Sequence, residues 1–250
     1  MSKLVSGALS LAFLVLPMSA VAQQLEVSLI EQGEELYRKQ CAVCHQDSGV
    51  GNPPTFPALS GNDQLEDSGR VIRSIHLGRG RMPPFPNLTA EEVLSIASYI
   101  RNTWANDFGG VTTEEVTAAR EGLDSSGPVG SVWDGVITEA QATRGQVAYS
   151  GACGSCHGRR LNGAPDDPDM RSTPPLARAR FMRIWEGRSL ATLFEYTRAS
   201  MPEDNPDSLG DQEYVDIIAY MLTVGGMPNG DTELSPDSQS LAQILIQPEP

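Results

Sequence analysis

The amino-acid sequence predicts an all-α chain of two similar helical domains in tandem, joined by an irregular linker. Three observations predict this organisation. The motif C-x-x-C-H occurs twice, 112 residues apart; a Gly-x-x-x-Tyr segment precedes each copy at the same offset; and a segment rich in Ile, Ala and Tyr follows each copy at an offset of 121. The chain of 250 residues is long enough for two such units, each with its own core. The paired residues are Gly33 with Gly145, Tyr37 with Tyr149, and Tyr99 with Tyr220.

The repeat and the glycine-rich stretch between its copies set the domain boundaries. We expect a first domain over residues 25–108, a linker over 109–136, a second domain over 137–226 and an acidic tail over 227–250. A helix over 91–104 is predicted to end the first domain, because Thr89 and Glu92 have the spacing of a capping box. The linker is expected to be mostly irregular, with a short helix over 113–123.

The N-terminus has the pattern of a secretory signal peptide over residues 1–22. Lys3 precedes an apolar stretch over 4–16, and the small residues 20–22 follow. We expect cleavage after Ala22, although an uncleaved anchor helix is the alternative. No later segment has the length of a transmembrane helix, so the mature protein is expected to be periplasmic, without an integral membrane span.

Composition narrows the class of protein further. Lys and Arg total 18 against 32 Asp and Glu, a net charge of −14, whereas a nucleic-acid partner would need a basic surface. Because the net charge is negative, we expect no nucleic-acid partner. Hydrophobic residues make up 40% of the chain, which is typical of a globular protein.

The two C-x-x-C-H motifs point to a covalent cofactor. They contain all four cysteines of the chain: Cys41 and Cys44 before His45, and Cys153 and Cys156 before His157. Cysteines at this spacing can form thioethers with the two vinyl groups of one haem, and the adjacent histidine then faces the iron. A zinc site, a dithiol redox pair and disulfides are the alternatives, but neither motif has a second ligand pair nearby or a βαβ setting. The sequence predicts two covalently attached haem c groups.

Each half resembles a class I cytochrome c domain, and the resemblance covers most of residues 32–224. In that family the N- and C-terminal helices cross at a glycine and an aromatic residue, which Gly33 and Tyr37 match in the first half, and Gly145 and Tyr149 in the second. Glycine lets two helix backbones approach closely because it has no Cβ.

The iron ligands opposite the histidines are predicted to be methionines. Met82 precedes a proline as the family's distal methionine does, and Met201 repeats this Met-Pro context in the second half. His76 is the rival of Met82. In the second half the other candidates are Met170, Met182, Met221 and Met227, of which Met221 aligns with a core helix position.

The resemblance also implies a partner for each proximal histidine. A ligating histidine needs an acceptor for its other ring nitrogen, and the family uses a proline carbonyl in a P-x-L turn. Pro57 is twelve residues beyond His45 and fits this pattern, and Pro174 is seventeen residues beyond His157. The alternative is that these prolines only stiffen the loops.

These features predict a dihaem electron-transfer protein in which no side chain acts as an acid, base or nucleophile. The first half is similar to cytochrome subunits of periplasmic alcohol and gluconate dehydrogenases, and the second half is similar to cytochromes found beside quinoprotein dehydrogenases. This similarity to partners of quinoprotein or flavoprotein dehydrogenases implies electron flow from a dehydrogenase toward a terminal oxidase. The partners implied are redox proteins: a donor dehydrogenase and a downstream cytochrome or oxidase. A general shuttle of the cytochrome c4 kind and a catalytic dihaem enzyme, a peroxidase or thiosulfate dehydrogenase, are the rivals.

Charge is uneven along the second half. Residues 199–250 contain ten acids and no Lys or Arg, whereas 159–198 contain eight Arg against five acids. We expect the acidic surface to steer docking with a basic redox partner. Six arginines could pair with haem propionates or with the acidic tail: Arg159, Arg160, Arg178, Arg180, Arg183 and Arg188.

Overall fold

The computed structural model describes residues 18–121, 123, 130–163 and 173–250, and these residues are mainly helical. Residues 1–17 of the expected signal peptide, and Met170, lie outside the described residues. Among the described residues, no helix combines the length and the apolar content that a membrane span needs. The helices are α1 (Met18–Gln40), α2 (Ala42–His45), α3 (Ser68–Leu77), α4 (Ala90–Arg101), α5 (Thr113–Arg120), α6 (Glu139–Ala152), α7 (Gly154–His157), α8 (Arg178–Trp185), α9 (Leu190–Ser200), α10 (Asp211–Gly225) and α11 (Ser238–Ala242), with a 3₁₀ helix at Asp63–Glu66.

Each half is organised around one helix crossing. In the first half α1 crosses α4, and in the second α6 crosses α10. A Cβ atom on Gly33 would lie 2.2 Å from the carbonyl oxygen of Ser95, and one on Gly145 would lie 1.8 Å from that of Asp216. Only glycine permits this approach, so the predicted role of both glycines is confirmed.

Aromatic rings fill the space beside each crossing, as predicted. The ring centroids of Tyr37 and Tyr99 are 5.5 Å apart, and those of Tyr149 and Tyr220 are also 5.5 Å apart. Tilted ring pairs at this separation stabilise the contact beyond simple burial. The two crossings therefore share a tyrosine pair with the same ring separation.

The last helix of the first half is shorter than predicted. The capping box of Thr89 and Glu92 is present, but α4 ends at Arg101, and Trp104 takes a positive φ of 61° outside the helix. Trp104 turns back over Tyr37, with ring centroids 5.2 Å apart, and its indole N–H donates to the carbonyl of Asp47. This packing ends the helix three residues before the predicted end.

The predicted linker and tail are parts of the two cores. The expected short helix is α5, and its Val116 is fully buried in the first core. The segment 227–250 was expected to be a tail, but Leu241 and Ile246 are fully buried in the second core. A short parallel pair, β1 (Gly130–Ser131) with β2 (Ile244–Leu245), joins the end of the linker to this segment. The apolar side chains of the segment, rather than its charges, decide its position.

The two halves contact each other through polar and aromatic groups. The side chain of Gln40 donates to the carbonyl of Gly187 at 3.1 Å, and that of Asn87 donates to the carbonyl of Ala242 at 3.0 Å. Arg81 forms an ion pair with Asp207. The rings of Phe56 and Tyr196 stack across the contact, with an interplanar angle of 5°.

Candidate functional site

The first C-x-x-C-H motif continues directly from helix α1. The Cys41 N–H donates to the carbonyl of Tyr37 at 2.8 Å, and the His45 N–H donates to the carbonyl of Cys41 at 3.0 Å. The phenol of Tyr37 donates to the carbonyl of Gln46 at 2.6 Å, which fixes the end of the motif. Burial raises the pKa of the Cys41 and Cys44 thiols to about 12. Both thiols are therefore neutral at physiological pH in the chain without haem.

A proline carbonyl orients His45, as the P-x-L pattern predicted. The imidazole Nδ1–H donates to the carbonyl oxygen of Pro57 at 2.9 Å. This bond assigns the proton to Nδ1 and leaves Nε2 with a free lone pair. Burial lowers the pKa of His45, which keeps the imidazole neutral. A neutral imidazole with an oriented second nitrogen is the form that ligates a metal.

A cavity of about 480 Å³ brings the predicted first-site residues together. Cys41, Cys44, His45 and Met82 all line it. His76 is not among the lining residues, and its side chain is only 2% exposed on α3. This placement favours Met82 over His76. The apolar part of the wall is formed by Leu59, Leu65, Val71, Ile75, Phe85, Ile96 and Ile100.

Cationic side chains also line the first cavity, and they were not predicted from the sequence. Arg70, Arg79 and Arg81 contribute to the wall, and Arg70 donates to the side chain of Gln64 at 2.7 Å. Guanidinium groups suit carboxylates such as haem propionates. The pair of arginines just before Met82 was a signal for this role. Thr192 of the second half completes the wall, and no local pattern indicated it.

The second motif repeats the backbone geometry of the first. The His157 N–H donates to the carbonyl of Cys153 at 2.9 Å, and the phenol of Tyr149 donates to the carbonyl of Gly158 at 2.7 Å. The Nδ1–H of His157 donates to the carbonyl of Pro174 at 2.9 Å. The longer spacing of the second P-x-L turn therefore does not change the bond, and that prediction is confirmed.

Met201 lies directly after helix α9, whose C-cap it forms. It is half-buried, and its carbonyl accepts from the phenol of Tyr214 at 2.7 Å. Met221 and Met227 are buried in the second core, which agrees with a packing role for Met221. The segment 164–172 lies outside the described residues, so the structure describes the second site less completely than the first.

The six arginines of the second half differ in their exposure. Only Arg188 is buried, with 8% of its surface exposed. The other five are exposed on the second half: Arg159, Arg160, Arg178, Arg180 and Arg183.

The residues of the first cavity fit a haem better than a bare metal ion. Among the described residues, no group of three His, Cys, Asp or Glu side chains comes together to hold a metal ion, which disfavours the zinc alternative. Two thiols, one oriented imidazole and one thioether instead line a large apolar cavity with cations on its wall. This donor set would suit a covalently held haem whose iron takes a histidine and a methionine as ligands.

Comparison with known proteins also indicates a cytochrome c. The family model described as cytochrome c oxidase, cbb3-type, subunit III matches residues 28–100 and 140–221, one segment in each half. The cytochrome bc1 complex cytochrome c subunit of Corynebacterium efficiens is 28% identical over 237 residues, which cover 90% of this chain and 73% of that protein.

Other relatives match only part of the chain. The cytochrome c subunit of the quinone alcohol dehydrogenase of Gluconacetobacter polyoxogenes is 31% identical over 42% of this chain, but the match spans only 25% of that subunit. Cytochrome c-552 of Thermus thermophilus is 30% identical over 44% of this chain and 84% of its own length. The matched segments of the family model cover more than half of the sequence, and the chain therefore belongs to the cytochrome c family described as cytochrome c oxidase, cbb3-type, subunit III.

Proposed function

We propose that each half of the chain holds one covalent haem c. Cys41 and Cys44 attach the first haem, and His45 and Met82 ligate its iron. When bound, haem supplies a one-electron couple at its iron. In the second half, Cys153 and Cys156 attach the haem, and His157 and Met201 ligate the iron. The observation that carries this proposal is the convergence of the four first-site residues on one cavity.

The protein's own groups set the properties of the first site. The carbonyl of Pro57 holds the His45 Nδ1–H, which fixes the ring plane and leaves Nε2 as the ligating atom. A methionine opposite a histidine favours the reduced state more than a second histidine does, which suits a carrier at high potential. The apolar wall excludes water, which also favours the less charged reduced state.

We assign the chain the role of a periplasmic dihaem electron carrier. Electrons enter from a dehydrogenase or a quinol-oxidising complex and leave toward a terminal oxidase. The names of two relatives, a bc1 complex subunit and an alcohol dehydrogenase subunit, support partners of this kind. The signal-peptide pattern over residues 1–22 supports the periplasmic location.

The segment 199–250 of the second half suits a basic partner. Acidic side chains of residues 199–250 that form no ion pair with a described residue remain exposed, and none of that segment's residues is basic. Exposed charge of one sign raises association rates with an oppositely charged partner and makes them dependent on salt. These exposed acids are Glu203, Asp204, Glu213, Asp231, Asp237 and Glu249.

Stopped-flow kinetics test this role directly. The oxidised holoprotein is mixed with a substrate-reduced quinoprotein alcohol dehydrogenase, and the reduced holoprotein is mixed with a cytochrome oxidase. We expect rapid one-electron exchange with both, slowing as the ionic strength rises. Exchange that ignores ionic strength would contradict the acidic docking surface. Turnover of peroxide or thiosulfate by the holoprotein alone would overturn the carrier role in favour of a dihaem enzyme.

A further inference from the structure

A turn of the second half lies against the first C-x-x-C-H motif. We define the arginine turn as residues 186–188, which follow helix α8. Gln40, the residue before Cys41, donates from its side chain to the carbonyl of Gly187 at 3.1 Å. A Cβ on Gly187 would lie 2.7 Å from Cε of Lys39. Val43, between the two cysteines, packs against the core of the second half. The arginine turn and the cysteines of the first site are therefore neighbours.

Arg188 is the buried charge of this turn. Only 8% of its surface is exposed, and its guanidinium lies 5.6 Å from the ring centroid of Trp185. Its Nε atom has no hydrogen-bond partner among the described residues. Burial lowers the pKa of Arg188, but a guanidinium stays protonated in proteins. Burying a charge without full pairing costs stability, and groups of this kind cluster at functional sites.

The charge of Arg188 acts on both cysteines of the first site. Burial raises the pKa of each thiol, and Arg188 opposes that rise at Cys41 and at Cys44. Glu195 is the other charged group that acts on Cys44. The Glu195 carboxylate is compensated by Arg198 at 3.3 Å and by the hydroxyl of Ser238 at 2.7 Å. Arg188 is therefore the cationic group that acts on both thiols.

We propose that Arg188 is a potential-setting residue of the first haem, contributed by the second half across the contact between the two domains. This inference rests on the proposed function, because it requires a haem at Cys41 and Cys44. Reduction adds one electron to the site, and a fixed positive charge stabilises the more negative state. Loss of the second half's arginine therefore lowers the potential of the first half's haem.

Redox titration of the holoprotein tests the proposal. Arg188→Met removes the charge but keeps an unbranched side chain, and a buried charge replaced by an apolar group is usually tolerated. In Arg188→Met we expect the midpoint of the first haem to fall by about 59 mV, a tenfold change in its one-electron equilibrium. The midpoint of the second haem stays unchanged. Titrations in a Met201→His background assign the midpoints, since His/His ligation lowers the second one.

Two further variants separate charge from structure. Arg188→Lys keeps the charge and is expected to retain most of the wild-type midpoint. Arg183→Met is the matched control, because Arg183 lines the same surface cleft of about 270 Å³ but is exposed. An unmoved first midpoint in Arg188→Met, or equal shifts in the Met and Lys variants, would overturn the proposal. Two methionine-ligated haems in Arg188→Met with Met201 intact would show that the proposed function survives such a failure.

Discussion

The N- and C-terminal helices of both halves cross at a glycine, but different chemistry surrounds the two crossings. In the first half the hydroxyl of Ser95 donates to the side chain of Gln32 at 3.0 Å. The corresponding positions of the second half are Asp216 and Arg144, which form an ion pair at 2.9 Å. One crossing is therefore neutral and the other is charged. The difference teaches that the close backbone approach defines the crossing, whereas the flanking side chains set its response to pH.

The turns that follow the two motifs also share a backbone conformation but differ in the residue that adopts it. Gln46 follows His45 with φ 62° and ψ 161°, a region that strongly favours glycine, and Gly158 occupies the equivalent position with φ 77°. Both carbonyls accept from the phenol of a tyrosine. The backbone bonds around the proposed haem ligands are thus repeated, while the first half adopts them with a strained side chain.

The largest expected effect comes from removing the proposed distal ligand of one half. Met82→Ala is expected to abolish half of the far-red absorbance that reports Met–iron bonding in the oxidised holoprotein, and to open one haem to carbon monoxide. Met201→Ala is expected to do the same to the other half. His76→Asn is the control and should leave the band intact. Opening of one haem to carbon monoxide in His76→Asn, with no change of the band in Met82→Ala, would reverse the assignment.

The next largest expected effect is the loss of stability when the glycine at a helix crossing is replaced by alanine. Gly145→Ala places a methyl group on the backbone of α10 and is expected to destabilise the second half by about 3 kcal/mol or more. Gly33→Ala should cost the first half a similar amount, since its Cβ would also meet a backbone oxygen. Denaturant unfolding followed by circular dichroism measures both.

Gly151→Ala is the matched control for this prediction. Gly151 lies in the same helix, α6, and a Cβ there would meet nothing within 4 Å. We expect a gain of up to about 1 kcal/mol, because alanine is the better helix former. A loss as large as that of Gly145→Ala would show that α6 tolerates no substitution, and that the crossing is not the cause.

The charged crossing should respond to acid, and the neutral one should not. The Asp216 pKa lies below its ordinary value of 3.8: burial alone would raise it, but hydrogen bonds from Arg144, Gln212 and Gln141 lower it. A carboxyl whose pKa is depressed by folding contributes stability above its unfolded pKa and loses it as pH falls through the folded pKa. The free energy of unfolding of the second half should therefore fall as the pH drops below about 4.

Asp216→Asn tests this source of stability. At neutral pH we expect a loss of about 1 to 2 kcal/mol, because an amide nitrogen would face side-chain donors that now bond to a carboxylate. The difference in the free energy of unfolding between Asp216→Asn and wild type should shrink in acid, because the wild-type carboxyl becomes protonated. Ser95→Ala in the first half is the control, with a loss that does not change with pH. If the stability difference between Asp216→Asn and wild type did not change with pH, the charge of Asp216 would be ruled out as its cause.

The smallest expected effect is a stabilisation. Gln46→Gly relieves the backbone strain after the first motif and is expected to stabilise the first half by about 1 kcal/mol, since the relief exceeds the added entropy of the unfolded chain. Gly158→Ala, the reverse change in the second half, should destabilise by about 1 kcal/mol. Thermal unfolding of both variants checks the two signs. Destabilisation by Gln46→Gly would mean that the glutamine side chain contributes more stability than the relief of backbone strain provides.

Local patterns in the sequence were enough to predict the parts of the fold that lie within each half. The repeat at a constant offset paired the glycines and tyrosines, and the resemblance to class I cytochromes c implied their place at the crossings and the proline carbonyls that orient both histidines. Trp104 was missed because no local signal marks the turn that folds it back onto Tyr37. The segment 227–250 was misread as a tail because its many polar and proline residues hide widely spaced core residues such as Leu241.

Contacts between the halves could not be predicted from local patterns. Thr192 in the wall of the first cavity and Arg188 beside the first cysteines depend on how two domains dock. Docking is decided by the sum of many weak surface contacts, which no single motif encodes. The sequence indicated a set of arginines in this region, but burial distinguished Arg188 from the other five.

The central claim is that both halves hold a methionine-ligated haem. The most direct test is to measure the haem content per chain in the purified holoprotein, together with its far-red absorbance when oxidised and its carbon monoxide binding when reduced. We predict two haems per chain, a far-red band of the strength expected for two Met–iron bonds, and no carbon monoxide binding. One haem per chain, or carbon monoxide binding at either haem, would contradict this account.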